Sequence, residues 1–249
     1  MPESSLGITH FLAQTDRVGA GVLAVLATMS LLSWYLMAGK LWQHSIIRAR
    51  SKTFLALFRR VRHVDDAVHL LAQQPDNPFA RLLDEGLLSC RLLQEARGER
   101  LRKTDARGFE VAAPDDFVSA ALHRAIAHEN RNLEGGMTVL GSIASSAPFI
   151  GLFGTVWGIY HALIAIGLSG QATLGRVAGP VGEALIMTAC GLAVAIPAVL
   201  GYNAFTRLNR NLVGELESYA HEVFSLLGLG RTSVAVNVVE FAPRNGGAA

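Results

Sequence analysis

The sequence predicts an all-α membrane protein with three transmembrane helices and long cytoplasmic helical extensions. Of its 249 residues, 51% are hydrophobic and 17% are charged. The apolar residues form long runs rather than the short periodic clusters of a soluble domain. Three runs, residues 18–39, 137–168 and 177–205, are long enough to cross a bilayer, which takes about 20 helical residues.

The first run is interpreted as a retained transmembrane anchor and not as a secretory signal. Its apolar core is longer than that of a signal, acidic Glu3 and Asp16 precede it, and no convincing small-residue cleavage site follows it. The two cysteines, Cys90 and Cys190, suggest no disulfide framework.

The basic residues predict the orientation of the three spans. Apart from Arg17 and Arg176, all 22 Lys and Arg residues lie between Lys40 and Arg131 or after the third run. By the positive-inside tendency, residues 40–136 form a cytoplasmic helical insert, and residues 206–249 form a cytoplasmic C-terminal helix and tail. The N-terminus, 1–17, and a short turn, 169–176, then lie outside. This topology explains the net charge of +2, so no nucleic-acid partner is indicated.

The cytoplasmic regions carry apolar stripes at helical spacing. In the insert the stripes cover residues 54–71, 79–87 and 118–133, the last after Asp115 as N-cap; the charged stretch 98–114 is predicted to be a loop. After the third span the pattern continues without a proline until Pro243, which predicts one helix over about 180–227. Such a helix projects beyond the bilayer and needs the insert helices as neighbours.

Small residues in the second and third spans predict close helix packing. Helices in lipid associate through close contact of their backbones, which Gly151, Gly154 and Gly158 permit in the second span and Gly191 in the third. Both helices therefore face protein on more than one side, which predicts a homo-oligomer. A tightly packed bundle without any pathway is the alternative.

Prolines within the spans are predicted to bend their helices. Pro148 and Pro197 each free a carbonyl one turn back, at Ala144 and Ala193, which is tolerated where the site is buried in protein or wet. Pro180 instead suits the first turn of a helix.

Three polar residues at membrane depth are candidates for a proton pathway. Between residues 136 and 205 the formally charged residues are Arg176, in the predicted outer turn, and Glu183, about two turns into the third helix. A carboxylate there faces a cavity, faces a partner or is protonated; the alternative is that it reaches the outer surface or bonds a neighbouring helix. Thr155 and Thr188 are predicted at similar mid-bilayer depth on adjacent helices, although each hydroxyl can also bond its own helix. His161 is interpreted as interfacial.

The motifs of the second and third spans resemble a known family. The stretches APFIGLFGTVWGI and VGEALIMTACGLAVAIPAV, together with the large insert between the first two spans, resemble the MotA, TolQ and ExbB group of proton-driven motor proteins, and ExbB most strongly. The resemblance implies that Thr155 and Thr188 are pore-lining threonines and that Glu183 is the membrane glutamate of the family. No nucleotide cradle, metal-ligand cluster or nucleophile-base set is found, so no enzyme, cofactor or metal is expected.

The resemblance also implies an assembly and a location. ExbB-like proteins form pentameric rings in the bacterial inner membrane, with the N-terminus periplasmic and the C-terminus cytoplasmic. Each ring encloses single-span ExbD subunits, which carry the protonatable intramembrane Asp. The complex works with TonB to energise uptake of iron-siderophores and vitamin B12. The alternatives are a TolQ-like subunit that energises TolA for envelope integrity and division, and a non-conducting membrane scaffold.

Overall fold

The computed structural model describes residues 16–73, 77–102, 114–169 and 174–232. In these ranges the regular structure is helical throughout. The six helices are α1 (Arg17–Phe58), α2 (Val64–Gln73), α3 (Pro78–Arg102), α4 (Pro114–Glu134), α5 (Met137–Ser169) and α6 (Leu174–Thr232).

Three of these helices have the length and composition of membrane spans. They are α1, α5 over Met137–Leu168 and α6 over Gly179–Gly228, with mean hydropathies of 1.8, 1.8 and 2.2 in their most apolar windows. The predicted all-α chain with three membrane-capable helices is therefore confirmed. Each of the three helices carries many exposed large apolar side chains, among them Leu31, Phe149 and Leu200. Exposed apolar side chains are typical of helices that are surrounded by lipid or by other subunits.

The chain divides into two compact units. The first comprises Met1–Ile46 and Arg131–Asn211. Its described part has two apolar clusters between α1, α5 and α6: one contains Val22, Leu26, Ala147, Met187 and Ala195, and the other contains Met137, Leu140, Ile143, Ala198 and Phe205. Met29 of α1 packs against both clusters, so one face of α1 follows the seam between α5 and α6.

The second unit comprises Ile47–Asn130 and Leu212–Ala249. Its centre is Tyr219, which packs edge-on against Phe54, Phe58 and Phe79 with ring centroids 6.3, 4.6 and 5.3 Å away. An ion pair joins α3 to α4 within this unit, where Arg81 Nε lies 2.6 Å from Glu129 Oε1. The aromatic contacts come from the apolar stripes that the sequence predicts at helical spacing; the ion pair does not.

Several helix ends differ from their prediction. α3 continues through Arg102 into the stretch predicted as loop from residue 98, and residues 103–113 lie outside the described part. α4 begins at Pro114, so Asp115 lies in its first turn and is not its N-cap; an acidic residue is favourable in either place because the helix dipole is positive there.

The start of α6 also differs from its prediction. The helix begins at Leu174, so Pro180 lies inside it and not in its first turn. The helix tolerates this because the proline ring removes a single backbone hydrogen bond close to the helix start. Pro148 and Pro197 likewise lie inside continuous helices, and the bends predicted for them stay a prediction.

Candidate functional site

The predicted pore threonines lie side by side between α5 and α6. Thr155 is 6% exposed. Its Oγ1 lies 3.2 Å from the Gly151 carbonyl oxygen of its own helix and 3.0 Å from the Ala184 carbonyl oxygen of α6. It also contacts the hydroxyl of Thr188. The structure thus brings Thr155 and Thr188 together as one hydrogen-bonded group.

The two threonine hydroxyls can share their donor and acceptor roles in more than one way. Each threonine hydroxyl donates one proton and accepts others. The carbonyl one turn before Thr188 is that of Ala184, and Thr155 Oγ1 lies within bonding distance of it. When Thr155 donates to a carbonyl, Thr188 donates to Thr155; when Thr188 donates elsewhere, Thr155 can donate to Thr188. Either hydroxyl can therefore be the donor of the bond between them.

The glycines predicted for helix packing explain how the hydroxyls meet. A Cβ built on Gly151 would lie 2.6 Å from the Met187 carbonyl oxygen and 3.0 Å from the Gly191 Cα. Conversely, a Cβ on Gly191 would lie 2.7 Å from the Ala147 carbonyl oxygen. Only glycine allows this approach, so the main chains of α5 and α6 are in direct contact one turn away from Thr155.

The GxxxG pair of α5 extends the same contact toward the other end of the helix. A Cβ on Gly154 would lie 2.9 Å from Met187 Sδ and 3.0 Å from Val22 Cγ1 of α1. A Cβ on Gly158 would lie 2.9 Å from Ala184 Cβ. Gly154 therefore marks a point where α1, α5 and α6 meet.

Glu183 lies next to the threonine pair along the chain but faces a different direction. It is half-buried and immediately precedes Ala184, whose carbonyl lies within bonding distance of Thr155. It is five residues from Thr188, which is about 140° around an α-helix. The carboxylate and the hydroxyls therefore cannot line one narrow face of α6.

A polar group missed in the sequence lies where α1 begins. Asp16 Oδ2 accepts a hydrogen bond of 2.7 Å from the Trp157 indole N–H of α5, and Asp16 Oδ1 accepts one of 2.7 Å from the Gly19 amide. These bonds lower the pKa of Asp16 below its usual range, with the Trp157 bond the larger cause. His161, predicted to be interfacial, is exposed and stacks against Trp157 at 4.5 Å.

A second polar group missed in the sequence joins Lys40 and His44 of α1 to Asn209 of α6 and to the Leu133 carbonyl of α4. Apolar periodicity gives no signal for such a group, because these residues follow the apolar part of each long helix, where polar residues are ordinary. In the described part of the chain, His, Cys, Asp and Glu residues form no group of three or more that could hold a metal ion.

Comparison with known proteins identifies the family. The MotA/TolQ/ExbB proton channel family matches residues 76–218. The chain is 35% identical over 234 residues to a biopolymer transport protein ExbB of Xanthomonas campestris, covering 91% of this chain and 90% of the relative. It is 41% identical over 212 residues to ExbB of Neisseria meningitidis, covering 84% and 91%.

A protein named TolQ is also similar to this chain. The Tol-Pal system protein TolQ of Pseudomonas aeruginosa is 33% identical over 206 residues, covering 83% of this chain and 86% of the relative. The match to the family extends over more than half of the chain and includes both α5 and the membrane part of α6. This chain therefore belongs to the MotA/TolQ/ExbB proton channel family.

Proposed function

We propose that this chain is the ring subunit of a proton-motive-force-driven motor of the ExbB type, which energises TonB-dependent uptake of iron-siderophores and vitamin B12 across the outer membrane. The observation that carries the proposal is the contact of the Thr155 and Thr188 hydroxyls between two membrane-capable helices. Hydroxyl groups that can either donate or accept the hydrogen bond between them are suited to proton transfer. Relatives named ExbB at 35% and 41% identity support the ExbB type.

The composition of the spans supports a partner that completes the pathway. The two spans from 136 to 205 contain Glu183 as their carboxylate and no Asp. A threonine hydroxyl does not release its proton at physiological pH, so a titrating group has to come from elsewhere or from Glu183 itself. We propose that this group is the intramembrane Asp of an ExbD-like single-span protein, held within a pentamer of this chain and coupled to a TonB-like protein.

The proposed location follows from the distribution of basic residues and from the family. The chain is a multi-pass membrane protein. We place it in the bacterial inner membrane, with residues 1–17 and 169–176 periplasmic and residues 40–136 and 206–249 cytoplasmic. Thr155, Thr188 and Glu183 then line the interior of the ring or steer the carboxylate of the partner.

A TolQ-like role is the second candidate, because a TolQ is 33% identical to the chain over most of its length. Such a subunit would energise a TolA-like protein for envelope integrity and division. A deletion strain separates the two roles: the ExbB type predicts poor growth under iron limitation, and the TolQ type predicts sensitivity to detergents. A non-conducting scaffold would leave either phenotype insensitive to a protonophore.

The test is to tag the chain, extract it gently from its native membrane, and determine the mass of the complex and the identity of the proteins that come with it. Five copies around a small single-span protein with an intramembrane Asp are expected. A bare oligomer that is reproduced in several detergents would contradict the motor and favour the scaffold.

A further inference from the structure

A buried polar group joins three helices at the end of the first unit that is remote from Asp16. Lys40 of α1 is 8% exposed, and its Nζ donates a hydrogen bond of 2.8 Å to the Leu133 carbonyl in the last turn of α4. Asn209 of α6, 5% exposed, donates to the same carbonyl at 3.0 Å through Nδ2. His44 Nε2 lies 2.8 Å from Asn209 Oδ1. We call Lys40, His44, Asn209 and the Leu133 carbonyl the junction cluster.

The cluster stabilises a helix end that would otherwise be incomplete. The last carbonyls of an α-helix have no partner within the helix, and the C-terminus carries a partial negative charge. An ammonium and an amide both donate to the Leu133 carbonyl, so the end of α4 is tied to α1 and α6. The chain then turns at Gly136, whose φ is 78°, before α5 begins.

The hydrogen bonds fix the tautomer of His44. Asn209 donates to Leu133 through its nitrogen, so its Oδ1 is the atom that faces His44. A carbonyl oxygen only accepts, and Nε2 of His44 must therefore carry the proton. Nδ1 is then the ring nitrogen with a free lone pair, and a second proton would bind there.

A second proton on His44 would be unfavourable while the cluster is closed. The His44 ring is hydrogen-bonded to Asn209 and stacks on Phe205, both of α6, while Lys40 of α1 and Asn209 both donate to the Leu133 carbonyl of α4. Among the described residues, Lys40 is the charged group whose field acts on His44, and it is also positive. Partial burial, the largest cause, and this like charge lower the pKa of His44, and together they outweigh the hydrogen bond to Asn209, which raises it. By reciprocity, binding of a proton must disfavour the closed cluster.

We propose that His44 is a proton-binding site that reports the pH beside the inner end of the spans and that weakens the junction of α1, α4 and α6 when it is protonated. The proposed orientation makes this compartment the cytoplasm. Protons that accumulate on the receiving side of the membrane would thereby loosen the helix junction below the threonine pair. The proposal goes beyond the motor function, since it rests on the hydrogen bonds of the cluster and on no partner.

Hydrogen exchange tests the site in the full-length chain. The chain is reconstituted in lipid nanodiscs, and amide exchange is followed by mass spectrometry between pH 8 and pH 6, after correction for the intrinsic pH dependence of exchange. In the wild type, peptides covering residues 127–134 and 203–211 are expected to exchange about two- to fourfold faster at pH 6, because the open cluster binds a proton on a histidine of ordinary pKa, about 6.5, and the closed cluster disfavours it. A pH-independent profile would overturn the proposal.

Two variants identify the group that titrates. In His44→Gln the side-chain amide can still donate to Asn209 but binds no proton, so the acceleration at pH 6 should disappear. The matched control is His128→Gln at an exposed histidine of α4, which should keep it. In Lys40→Met the like charge is gone, and the midpoint of the transition should move to higher pH.

The outcomes separate this proposal from the motor function. If His44→Gln retains the acceleration, or if Lys40→Met leaves the midpoint unchanged, the assignment of the proton to His44 is wrong. Should His44→Gln fail to fold, the wild-type and Lys40→Met profiles still decide. None of these measurements requires a partner or proton flow, so failure of the motor proposal would leave them unaffected.

Discussion

The hydroxyl of Thr155 lies 3.0 Å from the Ala184 carbonyl of the neighbouring helix, and this carbonyl is one turn before Thr188, where a helical threonine can also bond. Loss of one hydroxyl therefore frees that carbonyl for the other. Mutation can thus separate the stability of the helix pair from its proposed role in proton transfer.

For Thr155→Val we expect loss of energised uptake with little loss of stability. Valine has nearly the same shape, and Thr188 can bond the Ala184 carbonyl instead, so the cost should be about 0.6 kcal/mol, typical of a hydrogen bond between membrane helices. Iron-limited growth and the thermal unfolding midpoint of the purified chain measure the two effects. Thr155→Ser, which keeps the hydroxyl, is the control. Normal uptake in Thr155→Val would remove this side chain from the mechanism.

For Glu183→Gln we expect assembly to stay intact while coupling to the proton gradient is lost. The amide has the size of the carboxylate but cannot exchange a proton, so only the titrating function is removed. The mass of the complex and uptake of a siderophore are measured together. Glu222→Gln, at an exposed position of the second unit, serves as the comparison and should behave as wild type. Uptake at the wild-type rate in Glu183→Gln would mean that Glu183 has a packing role.

For Gly151→Ala we expect destabilisation of about 1–3 kcal/mol, the usual cost of overpacking. The added methyl group would lie 2.6 Å from the Met187 carbonyl oxygen, and a main-chain atom cannot move aside as a flexible side chain can. Thermal unfolding in nanodiscs measures the change. Gly167→Ala on the same helix has nothing within 4 Å of its new Cβ and should be neutral or stabilising. Equal effects of the two substitutions would contradict the close contact of α5 with α6.

For Arg81→Met we expect a loss of about 1–3 kcal/mol from the second unit. Glu129 is 4% exposed and receives two bonds from Arg81, of 2.6 and 2.8 Å, so removal of the arginine leaves a buried carboxylate without its main partner. The arginine is itself half-exposed, which keeps the cost below that of a fully buried pair. The double variant Arg81→Met/Glu129→Met should be more stable than Arg81→Met alone. A double variant that is less stable would contradict this account.

The contact of Asp16 with Trp157 should be lost in acid. Its hydrogen bonds lower the pKa of Asp16, so this carboxylate favours the folded arrangement above its usual pKa, about 3.8. That contribution is lost as the pH falls through the lowered value. Trp157 fluorescence, recorded in a Trp34→Phe/Trp42→Phe background, should change with a midpoint below 3.8. The change should be absent in Asp16→Asn, and a midpoint above 3.8 would contradict the assignment.

The sequence predicts the helices of the first unit well because membrane spans are defined by length and composition, which are local properties. The same holds for the similar depth of Thr155 and Thr188, since a fixed rise per residue places side chains along a helix. Helix starts were less predictable: Pro180 lies inside α6 because the preceding residues from Leu174 are helical as well. Helix ends depend on what they pack against, and a single sequence does not display this.

The junction cluster could not be predicted, for a different physical reason. Lys40 and Leu133 are 93 residues apart in the chain, and His44 and Asn209 are 165 apart. Such pairs depend on the rotation of each helix about its axis, which the packing of Gly151, Gly191 and their neighbours determines. Hydrophobic periodicity is weak in helices that are apolar all round, so this rotation has no signature in the sequence.

The contact between Gly151 and Gly191 also has a mechanical consequence. A lipid tail or a flexible side chain between two helices acts as a compliant layer, but here main chain rests on main chain. Close-packed protein is nearly incompressible, so a thrust on α5 is delivered to α6 without slack at this point. The two helices therefore cannot approach each other further here, and a movement that changes their spacing has to separate them.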